Sequence, residues 1–90
     1  MVNYYKPLSA EIACPTTAST ANNVSSAHDV RVVNSGSTAR LMTISTSGHT
    51  DSASMTIAAN ETVVIPKAST DIIFGAHCDL KLTSVQKPRG

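Results

Sequence analysis

The stretch from residue 54 to residue 74 constrains the fold more than any other part of the chain. It reads SMTIAANETVVIPKASTDIIF. Its alternating residues are Met55, Ile57, Val63 and Ile65 at odd positions and Thr56, Thr62 and Val64 at even positions. A period of two is that of a β-strand, in which neighbouring side chains point to opposite faces. The pattern therefore predicts two strands whose odd positions face one core.

The residues between the two runs predict how the strands are joined. Ala59-Asn60-Glu61 is short, and Asn60 tolerates the left-handed backbone conformation that tight hairpin loops require. We therefore expect a β-hairpin, with Ile57 opposite Val63 or in a bulged register two residues tighter. Pro66 cannot donate a backbone hydrogen bond, so it ends the second strand or marks a sheet edge.

Similar alternation recurs along the chain and predicts the fold class. Further strands are expected at residues 8–14, 28–34, 38–46, 72–74 and 77–85, separated by small polar segments rich in Ser, Asn and Gly. No stretch has the composition of a helix of ordinary length. We predict an all-β fold, a small antiparallel β-sandwich of six to eight short strands, either immunoglobulin-like or jelly-roll-like. The immunoglobulin hallmark, a buried Trp between two cysteines, is absent because the chain has no Trp.

The length of 90 residues predicts one domain covering residues 1–90, with residues 1–7 and 86–90 as extended terminal arms. The net charge of +1 offers no field for nucleic acid or an anionic membrane. No apolar run approaches the roughly 18 residues of a membrane span. The first ten residues lack the apolar core of a signal peptide, so we expect no secretory export.

The two cysteines, Cys14 and Cys78, are far apart and show no metal-binding spacing. Each continues the apolar phase of its predicted strand, with Ile12 before Cys14 and Leu80 after Cys78. We predict two buried, reduced thiols that act as small hydrophobic residues. A disulfide joining the first and last strands is the alternative.

Candidate chemistry is sparse. The histidines are His28, His49 and His77; His28 is next to Asp29, and His77 is followed by Cys78 and Asp79. Adjacent residues of a strand face opposite sides, so neither cluster is expected to chelate a metal from one strand. We therefore expect surface or loop histidines and no metal site. The nucleophile elbow, the phosphate-binding loop and the zinc-protease motif are all absent. The prediction is a protein that is not an enzyme and has no cofactor. Lys67 and Asp71 are expected either to pair across a loop or to be solvated separately.

Two segments resemble known proteins. VRVVNSGSTARLMTIS, residues 30–45, and MTIAANETVVIPKASTDIIFGA, residues 55–76, are similar to small virion structural proteins of tailed bacteriophages. The shared pattern is a strand, an Asn-x-Gly turn, a hairpin, and then a Lys and a Thr-Asp pair before a final strand. The resemblance covers residues 30–85. It implies a structural protein without catalytic residues, which decorates a capsid or builds a neck, tail or fibre.

The resemblance implies the partners as well: other copies of the chain and a major capsid, neck or tail protein, with no nucleic acid and no membrane. The location implied is the virion, assembled in the host cytoplasm. We expect the terminal arms to lie across neighbouring subunits. The candidate interface residues are Tyr4, Tyr5, Lys6, Lys87 and Arg89. The alternative function is a carbohydrate- or receptor-binding adhesin module.

Overall fold

The computed structural model describes residues 6–48 and 50–86. The described chain forms eight β-strands and one short 3-10 helix, Ala18–Thr20, with no α-helix among these residues. The strands are β1 (Lys6–Pro7), β2 (Ile12–Ala13), β3 (Asp29–Asn34), β4 (Arg40–Ser45), β5 (Ser52–Ile57), β6 (Thr62–Pro66), β7 (Ile72–Gly75) and β8 (Leu80–Gln86). The predicted all-β class is confirmed.

The strands form two antiparallel sheets that enclose one core. One sheet has the order β1-β8-β3-β6, with β2 also pairing with β8, and the other has the order β5-β4-β7. The core draws side chains from both sheets. Its largest fully buried apolar side chains are Met42, Ile57, Ile73, Leu80, Leu82, Val30 and Val32. The molecule is therefore the predicted small β-sandwich.

The strand pairing is nested along the chain. The first strand segment, β1 with β2, pairs with the last strand, β8. Asn22 forms a bridge with Ile73 in β7, β3 pairs with β6, and β4 pairs with β5. This arrangement of first with last, closing on an inner hairpin, is jelly-roll connectivity. In an immunoglobulin fold the last strand would lie in the other sheet, so the jelly-roll alternative describes this chain.

The predicted hairpin across Asn60 is wrong. β5 pairs with β4 in the small sheet and β6 pairs with β3 in the large sheet, so this connection crosses from one sheet to the other. The turn itself forms as a tight one: the Glu61 N–H donates to the Ala58 carbonyl over 3.0 Å, and Asn60 has a φ of 62°. Alternation specifies which face meets the core, and two strands in opposing sheets satisfy that condition as well as two paired strands do.

The alternation of the odd positions is only partly matched by burial. Ile57 is buried, and Val63 and Ile65 are partly buried against the core. Met55, in contrast, is 40% exposed because its strand lies at the edge of the small sheet. The odd positions therefore face the core as predicted, but Ile57 is the only residue of β5 that is buried.

The strand predicted at residues 8–14 forms only at β2 (Ile12–Ala13), and a bulge separates it from β1 (Lys6–Pro7), which precedes the predicted range. Pro7 lies opposite Val85 and Ile12 lies opposite Leu82, so residues 8–11 face only two residues of β8. The Ser9 hydroxyl accepts a hydrogen bond from the Ser84 N–H at 3.3 Å, which replaces a missing ladder bond. A bulge of this kind bends the strand and ends regular pairing.

The last strand begins later than the alternation predicts. β8 starts at Leu80, and the preceding residues form a turn, so Cys78 is exposed instead of buried. Thr83 alternates with the core residues of β8 and belongs to the opposite face, yet only 7% of it is exposed. It lies opposite Arg31, in a central strand flanked by β3 on one side and by the bulged N-terminal segment on the other.

A left-handed turn precedes β3. Val24, Ser25 and Ser26 have φ values of 55°, 56° and 57°, a conformation that is costly for a β-branched residue such as Val24. Two side chains hold it: the Val24 N–H donates to Asn22 Oδ1 at 2.6 Å, and the Ser26 N–H donates to Asn23 Oδ1 at 3.1 Å. The turn buries Val24 in the core, which offsets part of the backbone strain.

Asn34 connects the two sheets at the end of β3. It is fully buried, and its Nδ2 donates to the Thr38 carbonyl at 2.8 Å and to the Ile57 carbonyl at 3.0 Å. Its Oδ1 accepts from the Gly36 N–H at 3.0 Å. One side chain therefore satisfies three backbone groups, including the carbonyl at the end of β5.

Candidate assembly edge

The predicted interface residues lie at the two ends of the chain. Tyr4, Tyr5, Lys87 and Arg89 are outside the described residues. Lys6 is exposed in β1 and lies opposite Gln86 in β8. The described parts of the two predicted arms thus pair with each other as sheet, and the arm interface stays a prediction.

Three of the four sheet edges carry a feature that interrupts further pairing. At the edge formed by β1 and β2, Pro7 lacks a backbone donor and the bulge at residues 8–11 disrupts the ladder. Between β3 and β6, Asn34 is hydrogen-bonded to Glu61 and His28 to Lys67, and the bonded pairs alternate along the ladder. The backbone of Pro66 therefore faces away from β3, and because proline has no N–H, the edge lacks a donor there.

The outer edge of β7 is covered by the chain itself. Asn22 and Ile73 exchange two backbone hydrogen bonds of 2.8 and 3.1 Å, and the Gly75 N–H donates to the Pro15 carbonyl at 2.8 Å. Residues 15–22 thus take the place of a further strand. On the core side of Gly75, an added Cβ atom would lie 2.6 Å from Leu80 Cδ1 and 3.1 Å from Cys14 Sγ, so a larger residue there would force these core side chains to shift.

The edge of β5 carries none of these features within the described residues. Its six residues, Ser52–Ile57, contain no charge, no proline and no bulge against β4. The Thr46 N–H donates to the Asp51 carbonyl at 3.0 Å, which makes Thr46–Asp51 a hydrogen-bonded pair. Bonded pairs alternate along an antiparallel ladder, so every second residue of β5 directs its backbone N–H and C=O away from β4. These residues are Ser52, Ser54 and Thr56.

Apolar surface accompanies this edge. Met55 is 40% exposed and Leu41, on the adjacent strand, is 46% exposed. A groove of about 240 Å³ opens between the edges of β5 and β6. Its lining is mostly apolar: Met42, Ile44, Ala53, Met55, Ile65 and Pro66, with Ser54 at one side. An unprotected edge beside an apolar groove is a typical site of strand addition.

Sequence reasoning did not identify β5 as a site. The signal was present, because residues 52–57 form an alternating run without charge or proline, whereas natural edge strands usually contain one or the other. A central hairpin would give each side of this run a neighbouring strand, whereas among the described strands β5 has a neighbour on one side only.

The most conspicuous polar cluster surrounds Asp79. Its Oδ2 lies 3.5 Å from Arg40 Nη2 and 3.3 Å from His77 Nδ1. Cys78 Sγ is 3.9 Å from the same Nδ1, which suggests a Cys-His pair. That nitrogen, however, accepts the Asp79 N–H at 3.0 Å, so its lone pair is already used and it cannot act as a base toward the thiol. The cluster fastens the turn before β8 to β4.

The histidines provide no metal site in the described part of the chain. His28 is exposed, His77 is taken up by the turn just described, and His49 lies outside the described residues. No three potential ligands among His, Cys, Asp and Glu come together in residues 6–48 and 50–86. The same residues contain no helix long and apolar enough to cross a membrane.

The two cysteines differ in environment. Cys14 is buried, and burial raises the pKa of its thiol to about 11. Cys78 is exposed, which corrects the prediction of two buried thiols. Both are free, so the disulfide alternative does not describe this structure.

Lys67 is buried at the start of the loop after β6, and burial lowers the pKa of its ammonium group while the Asp71 carboxylate opposes that change. Its Nζ donates to the carbonyls of Ala68 at 3.1 Å and Ser69 at 3.4 Å. Asp71 instead accepts the Ala68 N–H at 3.1 Å. The two charges therefore stabilise the same loop mainly through its backbone, and neither sequence-based alternative describes them fully.

Comparisons with known proteins give no relative. No family model, no curated protein and no solved structure matches the chain.

Proposed function

We propose that the chain is a non-enzymatic structural component of a tailed-phage virion, bound in many copies to the capsid surface or to the neck or tail. The observation that carries the proposal is the unprotected edge of β5. Proteins that act alone usually block such edges, because an open edge recruits other strands. An edge left open beside an apolar groove is useful to a protein whose role is to join a larger assembly.

Two further features support the proposal. The jelly-roll connectivity is shared by viral capsid proteins and lectin domains. The segments at residues 30–45 and 55–76 resemble small virion proteins. They include β3, β4, most of β5, and β6 and β7.

The adhesin alternative has weaker support. Sugars are usually bound against exposed aromatic rings, and Phe74 is the only aromatic residue in the described part of the chain. Phe74 is only partly exposed. A glycan array with the intact protein distinguishes the two functions, because specific glycan binding would favour the adhesin.

The proposal is tested by quantitative mass spectrometry of phage particles purified from cells that produce this chain. We expect many copies per particle, retained through a density gradient and absent from the free-protein fractions. Particles lacking the chain, with the chain abundant in the lysate, would refute the proposal. A version lacking residues 1–6 tests the predicted arm, and we expect it to be incorporated less completely than the intact chain.

A further inference from the structure

We propose that β5 pairs with β5 of a second copy of this chain, antiparallel about a two-fold axis at Ser54. The inference rests on the proposed function, because it names the partner of the open edge. Pairing of the two β5 strands joins two three-stranded sheets into one continuous six-stranded sheet. The pairing also uses the edge of both copies, so it closes as a dimer and leaves no β5 edge free.

The backbone determines the register. The outward N–H and C=O groups belong to Ser52, Ser54 and Thr56, and residues that exchange hydrogen bonds must come from this set in both copies. Centring the axis on Ser54 pairs Ser54 with itself and Ser52 with Thr56. All three outward residues are then used in each copy, giving about six backbone hydrogen bonds.

The side chains fit this register on both faces. On the outer face, Ser52 meets Thr56 and the two Ser54 hydroxyls meet, which continues the hydrogen bond of 3.1 Å between Thr43 and Ser54. On the inner face, Met55 lies opposite the small Ala53 of the second copy. Cross-strand pairs of hydroxyl residues are favourable in antiparallel sheets. The small side chain of Ala53 leaves room for Met55.

The charge pattern favours a second copy as the occupant. β5 has no ionisable side chain between Asp51 and the turn after Ile57, so two copies approach without opposing like charges. The inner-face residues of the added strand also extend the apolar surface beside the groove between β5 and β6. A two-strand contact of this length belongs to the small, weak class of interfaces. Such contacts suit an assembly in which many copies are already concentrated.

Cysteine cross-linking tests the register in the intact chain carrying Cys78→Ser, which leaves only the buried Cys14 thiol. In the proposed register, two Ser54→Cys chains bring their Cα atoms to about 5.5 Å, within disulfide range. Two Ser52→Cys chains, or two Thr56→Cys chains, are separated by four strand positions, roughly 13 Å. We expect oxidation to link Ser54→Cys with itself, and Ser52→Cys only with Thr56→Cys.

The cross-linking pattern can contradict the pairing directly. If Ser52→Cys links with itself as fast as Ser54→Cys does, the contact is random collision and the proposed register is wrong. If the sole efficient link is between two chains altered at another position, the edges pair in another register and the inference is equally overturned.

Sedimentation velocity tests the edge without a cysteine. Ser54→Pro removes an outward N–H and preserves the hydrogen bonds to β4, whereas Ser54→Ala, the matched control, retains that N–H. We expect Ser54→Pro to weaken self-association at least about tenfold and Ser54→Ala to change it by no more than about twofold. Circular dichroism of both variants confirms that the fold is intact.

The outcomes separate this inference from the proposed function. Self-association that Ser54→Pro leaves unchanged overturns the β5 pairing, and so does an intact chain that remains monomeric at every concentration. In either case the presence of many copies in purified particles would still support the virion role through other contacts. A peptide or foreign protein that binds β5 while the chain itself stays monomeric would replace the second copy as the occupant and refute the proposal.

Discussion

β3 and β5 are each six residues long and alternate in the same way, yet they differ in burial. Every second residue of β3 is buried: Val30, Val32 and Asn34. In β5 only Ile57 is buried. β3 lies between β8 and β6, whereas β5 has β4 on one side and no described strand on the other. Alternation thus determines where a side chain points, but neighbouring strands determine whether anything covers it.

The number of neighbouring strands also determines whether a strand can take part in binding. A strand with two neighbours has all its backbone groups paired and contributes to stability. A strand with one neighbour retains free donors and acceptors, so it can take part in binding. The predictions below test whether burial, backbone pairing and reactivity follow this division, in order of decreasing effect.

The largest effect is expected within β5 itself. Ile57→Ala should lower the free energy of unfolding by about 2–5 kcal/mol, because it leaves a cavity in a fully buried position. The control is Met55→Ala in the same strand. Its side chain is 40% exposed, so the loss should be about 1 kcal/mol or less. If both variants lose the same free energy of unfolding in urea, Met55 is as fully buried as Ile57 and the contrast is wrong.

The two cysteines test the same contrast between a buried and an exposed position, with thiol reactivity as the measurement. Cys14 has its pKa raised to about 11 from 9.0, which reduces its thiolate fraction about a hundredfold at a given neutral pH. We expect Cys78 to react with a thiol reagent in the native protein and Cys14 to react only after denaturation. Cys78→Ser is the control and should abolish the fast reaction. A fast phase that survives in Cys78→Ser would show that Cys14 is accessible.

The side chain of Asn34 links β3 to β5, and its substitution tests how much this link contributes to stability. Asn34→Ala removes the donors to the Thr38 and Ile57 carbonyls and the acceptor for the Gly36 N–H. The loss of stability should be about 1–3 kcal/mol, since the buried Ile57 carbonyl and two partly buried backbone groups each lose a hydrogen-bond partner. Ser54→Ala removes only an exposed hydrogen bond to Thr43, so it should change stability by about 0.5 kcal/mol or less. A similar result for both variants in urea unfolding would contradict the structural role of Asn34.

The smallest effect is expected at exposed threonines. Thr56 in β5 and Thr62 in β6 both face solvent. Thr56→Ala and Thr62→Ala should each change the free energy of unfolding by about 0.5 kcal/mol or less. Thermal unfolding of the isolated chain at low concentration measures this without dimer formation. A loss approaching that of Ile57→Ala would show that the outer faces are covered.

The sequence predicted the local features of the fold well. The strands predicted at residues 28–34, 38–46 and 77–85 correspond to β3, β4 and β8. Their alternating apolar residues Val30, Val32, Met42, Leu80 and Leu82 are all buried. These positions were predictable because a period of two fixes the face of a side chain from the chain alone. The turn at Asn60 was also located correctly, because its positive φ suits asparagine.

The pairing of strands could not be predicted in the same way. Whether β6 pairs with β5 or with β3 depends on contacts between residues far apart in sequence, such as Val32 with Val63. Both arrangements leave Ile57 and Ile65 facing one core. The candidate edge was missed for this reason, because an edge is defined by the absence of a neighbour. The exposure of Cys78 was missed because the strand start depends on the turn held by His77 and Asp79.

The nested pairing has a consequence for how the chain acquires its structure. Among the described residues, β1 and β2 reach the sheet only by pairing with β8, so these two strands stay unpaired until β3 to β8 have all been synthesised. Closing so long a loop costs conformational entropy before any contact compensates for it. Topologies dominated by such distant contacts fold slowly, in milliseconds to seconds. During that interval the inner hairpin of β4 and β5 can already form from local sequence, with its outer edge open to other chains as they emerge.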